Sequence, residues 1–377
     1  MEPDVPVGGK QGVVDVAVIG AGLAGSTTAW AASRRGLSVA LFEQFAIGHH
    51  HGSSHGSARV FRRAYEDGLY VRLTGESGEL WRELEADTRT TLLRTTGGVD
   101  HGNKRSLDLI AEQLNAARVP HEVVGAGEAE RRWPGMRFET DVVFHPEAGV
   151  VDAGATVAAC VEASRGRGAV VEENAPITQI IPGDPDVVVR SGERYWQARY
   201  VVIAAGAWVA GLLDGIVAFP PVTVTQQQIF HFARRDVSTA WPTFAHRGAM
   251  FIYGLQGGHD GGEQNAQKVA EFESGKVTTA GTRDGVVDAA ARARVVDYVA
   301  DWLPGLVPEP FNETTCLYTN TADKDFVLDR RGRIIICSAC SGHGAKFAPW
   351  LGTQVARLAA GDGTVEERFR LDRPGLF

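Results

Sequence analysis

The constraint that governs this chain is a set of three glycines, Gly20, Gly22 and Gly25, spaced G-x-G-x-x-G between an apolar stretch at 13–19 and an alanine-rich helical pattern at 26–35. The apolar stretch predicts a buried strand, and Gly36 ends the helix before a second strand at 37–42. In such a strand–turn–helix unit the first glycine allows the tight turn and the second lets backbone approach a pyrophosphate. The third lets helix and strand pack closely. Glu43 stands 18 residues after Gly25, where an acid takes an adenosine ribose hydroxyl and disfavours a 2'-phosphate. The unit predicts one bound dinucleotide other than NADP, since no second complete fingerprint occurs. A near-match at Gly125-Ala126-Gly127 lacks the third glycine, is followed by acids, and reads as a loop.

With 377 residues, 44% of them hydrophobic, the chain exceeds one ordinary core and predicts two domains or one domain with a large insertion. A net charge of -8 argues against general nucleic-acid binding. No apolar run approaches the ~20 residues that cross a bilayer. The acidic, polar stretch 1–12 reads as a short disordered leader on a cytoplasmic protein. Four cysteines are too few for a disulfide scaffold. Cys337 and Cys340 form a C-x-x-C with His343 three residues on, but a zinc site needs a fourth ligand, and no metal is expected. His49, His50 and His51 fit no metal template and read as solvated loop residues.

After Glu43 the chain enters a loop of small residues studded with His and Arg, including Gly52, Ser53, His55, Gly56, Arg59 and Arg62. Small residues admit a planar ligand, and the cations suit an anion. This stretch resembles the G-S-x-H-G-x-x-R-x-x-R of the monomeric sarcosine oxidase and N-methyltryptophan oxidase family, FAD enzymes of the D-amino-acid-oxidase-like superfamily. The resemblance continues through Arg132-Trp133-Pro134-Gly135, Ala205-Gly206-Ala207-Trp208, Tyr253-Gly254, Cys316-Leu317-Tyr318-Thr319 and Ser341-Gly342-His343-Gly344-Ala345-Lys346-Phe347. It is weakest near 255–290.

The resemblance implies an α/β fold with a Rossmann-type FAD-binding domain, discontinuous over 13–90, 150–218 and 320–377. An α+β substrate domain with a largely antiparallel sheet would cover 91–149 and 219–319. It also implies a monomeric FAD-dependent oxidase of a secondary amine bearing a carboxylate. Hydride would pass from carbon to flavin N5, giving an imine, and O2 would reoxidise the flavin to yield hydrogen peroxide. Arg62 and Lys346 would bind the substrate carboxylate, Tyr253 would line its pocket, and His55 and Arg59 would lie near the flavin ring. Lys268 would speed the reaction with oxygen, and Cys316 would hold the flavin covalently. Gly342, His343 and Gly344 would lie against the ring, with Ser53 among the cofactor contacts.

Two positions depart from the family pattern. Phe272 stands where a His is common, and Ala345 where a larger aromatic is common. The Gly-rich segment 257–262 reads as an insertion near the mouth of the site. These departures favour a bulkier or cyclic amine over sarcosine. Two alternatives accompany this reading: a flavin-dependent desaturase or dehydrogenase of a cyclic imino acid in a biosynthetic pathway, and a non-catalytic flavin-binding protein.

Overall fold

A computed structural model of the chain describes residues 9–261, 266–339 and 341–377. The strand before the glycine turn, β1 (Gly9–Ile19), lies at the centre of a parallel sheet. It is flanked by Arg194–Ile203 on one side and β2 (Val39–Phe42) on the other. Ile334–Ser338 and Val170–Glu172 extend the parallel set, and antiparallel strands complete an eight-stranded sheet. Val16 and Val18 point into one apolar cluster, Ala17 and Ile19 into another on the opposite face. Burial on both faces explains why this strand is continuously apolar rather than alternating.

On the first face α1 (Leu23–Arg34) packs against the helix Ala348–Ala360. The contact is close because Gly352 lies against α1 backbone, where a Cβ would stand 2.4 Å from the carbonyl carbon of Thr27. The Thr27 hydroxyl seals it by donating to Ala348 O at 2.8 Å.

β1 starts four residues earlier than the sequence suggests. Residues 9–12, expected in the leader, pair with the strand Arg194–Ile203, Gly9 opposite Arg194 and Lys10 opposite Tyr195. They are exposed or half-buried, so no apolar signal marks them; the backbone ladder recruits them, with the Lys10 amine donating to Gln197 Oε1 on the paired strand. Residues 1–8 lie outside the described residues.

The second sheet, of nine strands, roofs the first. Its longest strands, Thr223–Arg234 and Leu306–Asn320, run antiparallel. Among its described pairings one is parallel, Thr243–Arg247 beside Gly98–Gly102. The helix Ala289–Trp302 buries Val295, Tyr298 and Val299 against this sheet. A three-stranded sheet, Arg59–Phe61, Gly149–Val151 and Leu93–Thr95, completes the β-structure.

The Gly125 segment is a correction. It caps a helix, Ala126–Arg132, rather than forming a loop. The acids that argued against a phosphate site are what suit this helix: Glu128 lies in the first turn, Arg131 and Arg132 in the last, each complementing the helix dipole. Glu128 also accepts from both arginines.

Candidate active site

A cavity of about 780 Å³ lies between the two sheets. Its floor is formed where β1 and β2 end, the place where open parallel sheets bind ligands. Gly20 has φ +98°, and a Cβ there would stand 2.6 Å from Ala204 O. A Cβ on Gly25 would stand 1.7 Å from Gly20 O, so only glycine lets α1 cross this turn. Gly22 caps α1 without a side-chain hydrogen bond, and the first turn holds no acid. This leaves the positive end of the helix suited to an anion. A Cβ on Gly22 would press to 2.9 Å from Ser54 Oγ, which accepts from Leu23 N.

Glu43 is buried at the end of β2, its Oε2 accepting from Ala21 N at 2.9 Å and its Oε1 from Phe45 N at 3.1 Å. Burial works to raise its pKa, but the His49 contact and the two backbone donors outweigh it and hold the carboxyl below its ordinary value. His49 is therefore not a solvated loop residue. Its Nε2 lies 3.3 Å from Glu43, its ring stacks edge-on to Phe45, and it lines the cavity. His50 and His51 are exposed, as read.

The loop after β2 forms one wall. Ser53 Oγ donates to Leu317 O at 2.6 Å, tying this loop to the roof strand that bears Cys316. Arg59 donates to Ser53 O and His55 O, which fixes its guanidinium on the cavity wall. His55 itself is buried but does not line the cavity. Its ring stacks on His50 and its Nε2 lacks a partner. Burial first, then the charges of Arg59 and His50, push its pKa down to about 3, so the ring is neutral.

Arg62 donates to Asp100 Oδ1 at 2.7 Å and lies 5.4 Å from the Tyr65 ring. Lys346 also lies by that ring, 5.6 Å from both Tyr65 and Phe347, with its amine donating to His343 O. No ion pair to Lys346 occurs among the described residues. Burial first, and Arg62 second, drive its pKa well below the ordinary lysine value. Such a cation gains most from an incoming anion.

The roof contributes Lys268, whose amine donates to Ala58 O at 3.0 Å, and Tyr253, Cys316, Tyr318 and Phe272. Lys268 is buried and lines the cavity, whereas Lys276, in the same weakly matched stretch, is exposed and pairs with Asp284. Cys316 is a buried cysteine clustered with Ile229, Tyr318 and Phe272. Burial, with Cys316 as a lesser cause, pushes the Tyr253 phenol up to about 12.

The far wall is the loop 341–347. Gly342 has φ +74°, and a Cβ there would meet the Tyr318 ring at 2.6 Å. A Cβ on Gly344 would stand 1.6 Å from Ala339 O. His343 Nε2 lies 3.3 Å from Lys324 O, a pure acceptor, so this nitrogen carries the proton and Nδ1 accepts from the Tyr65 hydroxyl at 3.1 Å. Burial pushes its pKa down to about 3. Cys337 is buried and its thiol is pushed up to about 12; Cys340 lies outside the described residues.

The cavity thus collects Gly20, Gly22, Glu43, Ser53, Arg59, Arg62, Tyr253, Lys268, Cys316, Gly342, His343, Gly344 and Lys346. Gly25 acts by packing alone. Segment 257–261 does not line the cavity; it packs on the loop after β2, where a Cβ on Gly258 would meet Ser57 Oγ at 1.9 Å. Residue 262 lies outside the described residues. Phe272 and Ala345 both face the cavity. Sequence reasoning missed Asp100, Arg247 and Tyr65, all on the cavity wall. Asp100 had a weak signal, an acid inside the short strand Gly98–Gly102; Arg247 had none.

A protein-family model described as DAO: FAD dependent oxidoreductase matches residues 15–358. The chain belongs to this family of FAD-dependent oxidoreductases. It is 33% identical to human peroxisomal sarcosine oxidase over 92% of each chain. It is also 33% identical to a monomeric sarcosine oxidase of Streptomyces avermitilis, with coverage of 92% and 92%. Among solved structures, NikD, described as an unusual amino acid oxidase essential for nikkomycin biosynthesis, superposes with a TM-score of 0.85. That match covers 96% of this chain and 98% of NikD at 24% identity, and shows the shared fold. The α/β architecture with an FAD-type Rossmann sheet and a second, largely antiparallel sheet is that of the family. This FAD-dependent oxidoreductase presents no helix, among its described residues, long and apolar enough to cross a membrane.

Proposed function

We propose that this enzyme oxidises a secondary amine bearing a carboxylate, an N-methyl or cyclic amino acid. The observation that carries the reading is the pair of cations, Arg62 and Lys346, converging on Tyr65 in the cavity whose floor is the glycine turn. The floor suits FAD: colliding Cβ positions at Gly20 and Gly25, an uncapped helix terminus and a carboxylate fixed at the end of β2. Bound FAD supplies the redox chemistry, accepting hydride from the carbon next to nitrogen and yielding its electrons to O2.

The protein's own groups bind, orient and screen. Arg62 and Lys346 hold the carboxylate and so fix the carbon to be oxidised. Phe272, Tyr253 and Tyr318 close the roof against water. His55 and His343 are neutral at ordinary pH and are poor bases, so the amine is oxidised as its neutral form. Lys268 and Arg59 supply a positive field on the roof and wall. Cys316 Sγ is the atom proposed to carry the flavin covalently, which fits a buried cysteine on the cavity wall. A chain of this length with four cysteines suits a reducing compartment such as the cytoplasm, and the monomer reading rests on the relatives.

A cyclic imino acid is the second reading, favoured by Phe272 and Ala345 on the cavity wall. Anaerobic mixing of the yellow protein with N-methyl amino acids, cyclic imino acids and primary amino acids tests both, watching the flavin band. Bleaching by a secondary amine acid and recovery on admitting air is expected. Bleaching by primary amino acids alone would overturn the reading. Denaturing electrophoresis tests the covalent link: fluorescence stays with the wild-type chain and is absent from Cys316→Ser.

A further inference from the structure

We propose that the cavity holds a second anion site at Arg247 and that the amine substrate is a dicarboxylate whose second carboxylate binds there. This rests on the reading of Arg62 and Lys346 as the first carboxylate site. Arg247 ends the strand Thr243–Arg247 and lines the cavity, its guanidinium 4.8 Å from the centre of the Phe251 ring. An arginine has five donors, yet among the described residues this one has two contacts to acids, both long. Nη1 donates to Glu66 Oε1 at 3.3 Å, and Nε lies 3.5 Å from Asp100 Oδ1, too long and poorly aimed for a well-formed hydrogen bond.

Asp100 cannot serve Arg247 fully because its Oδ1 is already taken by Arg62 at 2.7 Å. Glu66 sits at the rim with 40% of its side chain exposed, and exposed pairs are worth little. The remaining neighbours carry no charge to help. Burial lowers the pKa of His145 to about 4 and that of His101 well below its usual value, and it raises the Tyr65 phenol. Arg62 and Arg247 therefore share one buried acid, Asp100, and Lys346 beside them has no ion pair among the described residues.

Buried charge without a partner is costly. One substrate carboxylate at Arg62 and Lys346 offsets part of this positive charge, and a second would offset that of Arg247, which Glu66 at the rim balances only weakly. Asp100 stands between the two positions, so the second carboxylate belongs to a different branch of the substrate from the first. An arginine with open donors beside an aromatic face suits a planar carboxylate bound through two parallel hydrogen bonds.

The test titrates the holoenzyme with propionate, succinate and glutarate, none of which carries an amine, and reads binding from the flavin visible band. At least one diacid should bind about tenfold or more tightly than propionate. Arg247→Met should bring that diacid down to propionate's level, and Arg247→Lys should keep part of the preference. Arg62→Met should weaken all three acids. Equal affinity for all three acids in the wild type overturns the second site, as does a preference that survives Arg247→Met. If the diacid preference is present but Arg62→Met weakens no acid, the first-site reading falls and the Arg247 site stands alone. Failure of all three acids to bind overturns both.

Discussion

The floor and the roof of the cavity are built by different kinds of constraint. On the floor, Gly20, Gly22, Gly25 and Glu43 lie within one strand–turn–helix–strand unit, and each acts through backbone geometry that a neighbour in sequence imposes. On the roof and walls, Asp100, Arg247, Lys268 and Cys316 come from four strands and meet only through pairing at long range. Ala245 faces Asp100 across a parallel pair, and that register brings Arg247 to Asp100. Floor substitutions should therefore damage folding and cofactor retention together, whereas substitutions of the wall cations Arg62, Lys346 and Arg247 should damage ligand binding alone; Cys316, the proposed attachment point of the flavin, stands apart from both.

The largest expected effect breaks the floor. Gly25→Val places side-chain atoms against Gly20 O, where even a Cβ would stand at 1.7 Å. It should cost more than about 4 kcal/mol and give little soluble, flavin-loaded protein. A normal yield with full flavin content would show that the turn relaxes freely. A smaller effect is expected on the wall. Lys346→Met keeps volume and removes a buried cation, so carboxylate affinity should fall about 30-fold, near 2 kcal/mol, with the flavin-to-protein ratio unchanged. Loss of flavin along with affinity would blur the distinction between floor and wall.

The smallest effect is a pH dependence. His55 has its pKa lowered from 6.5 to about 3 in the folded protein. The unfolded chain then binds a proton that the folded one refuses, so stability is full above about pH 6.5 and falls as pH drops toward 3. At pH 5.5 the loss is about 1.4 kcal/mol. Thermal melts at pH 7.5 and 5.5 should show a smaller shift in His55→Asn than in the wild type. Equal shifts would show that His55 does not carry this dependence.

How much was legible in sequence follows the same division. The glycine turn and Glu43 were readable because their spacing alone encodes the geometry. Lys268 and Cys316 came through resemblance, in strands whose register no single-chain pattern specifies. Arg247 was invisible because a terminal strand residue before a glycine looks like any exposed arginine. His49 was misread because a His run gives no hint that one ring turns inward to Glu43. The Ala126–Arg132 helix was missed because its first-turn acid was weighed against a ligand rather than against the helix dipole.

The most direct test of the central claim compares an N-methyl amino acid that bleaches the flavin anaerobically with the same amine lacking its carboxylate. If Arg62 and Lys346 position the substrate, the acid should bleach the flavin with saturating kinetics. The decarboxylated amine should then be slower by about 100-fold or more at equal concentration. Equal rates for the two amines would contradict the assignment of these cations as the carboxylate site.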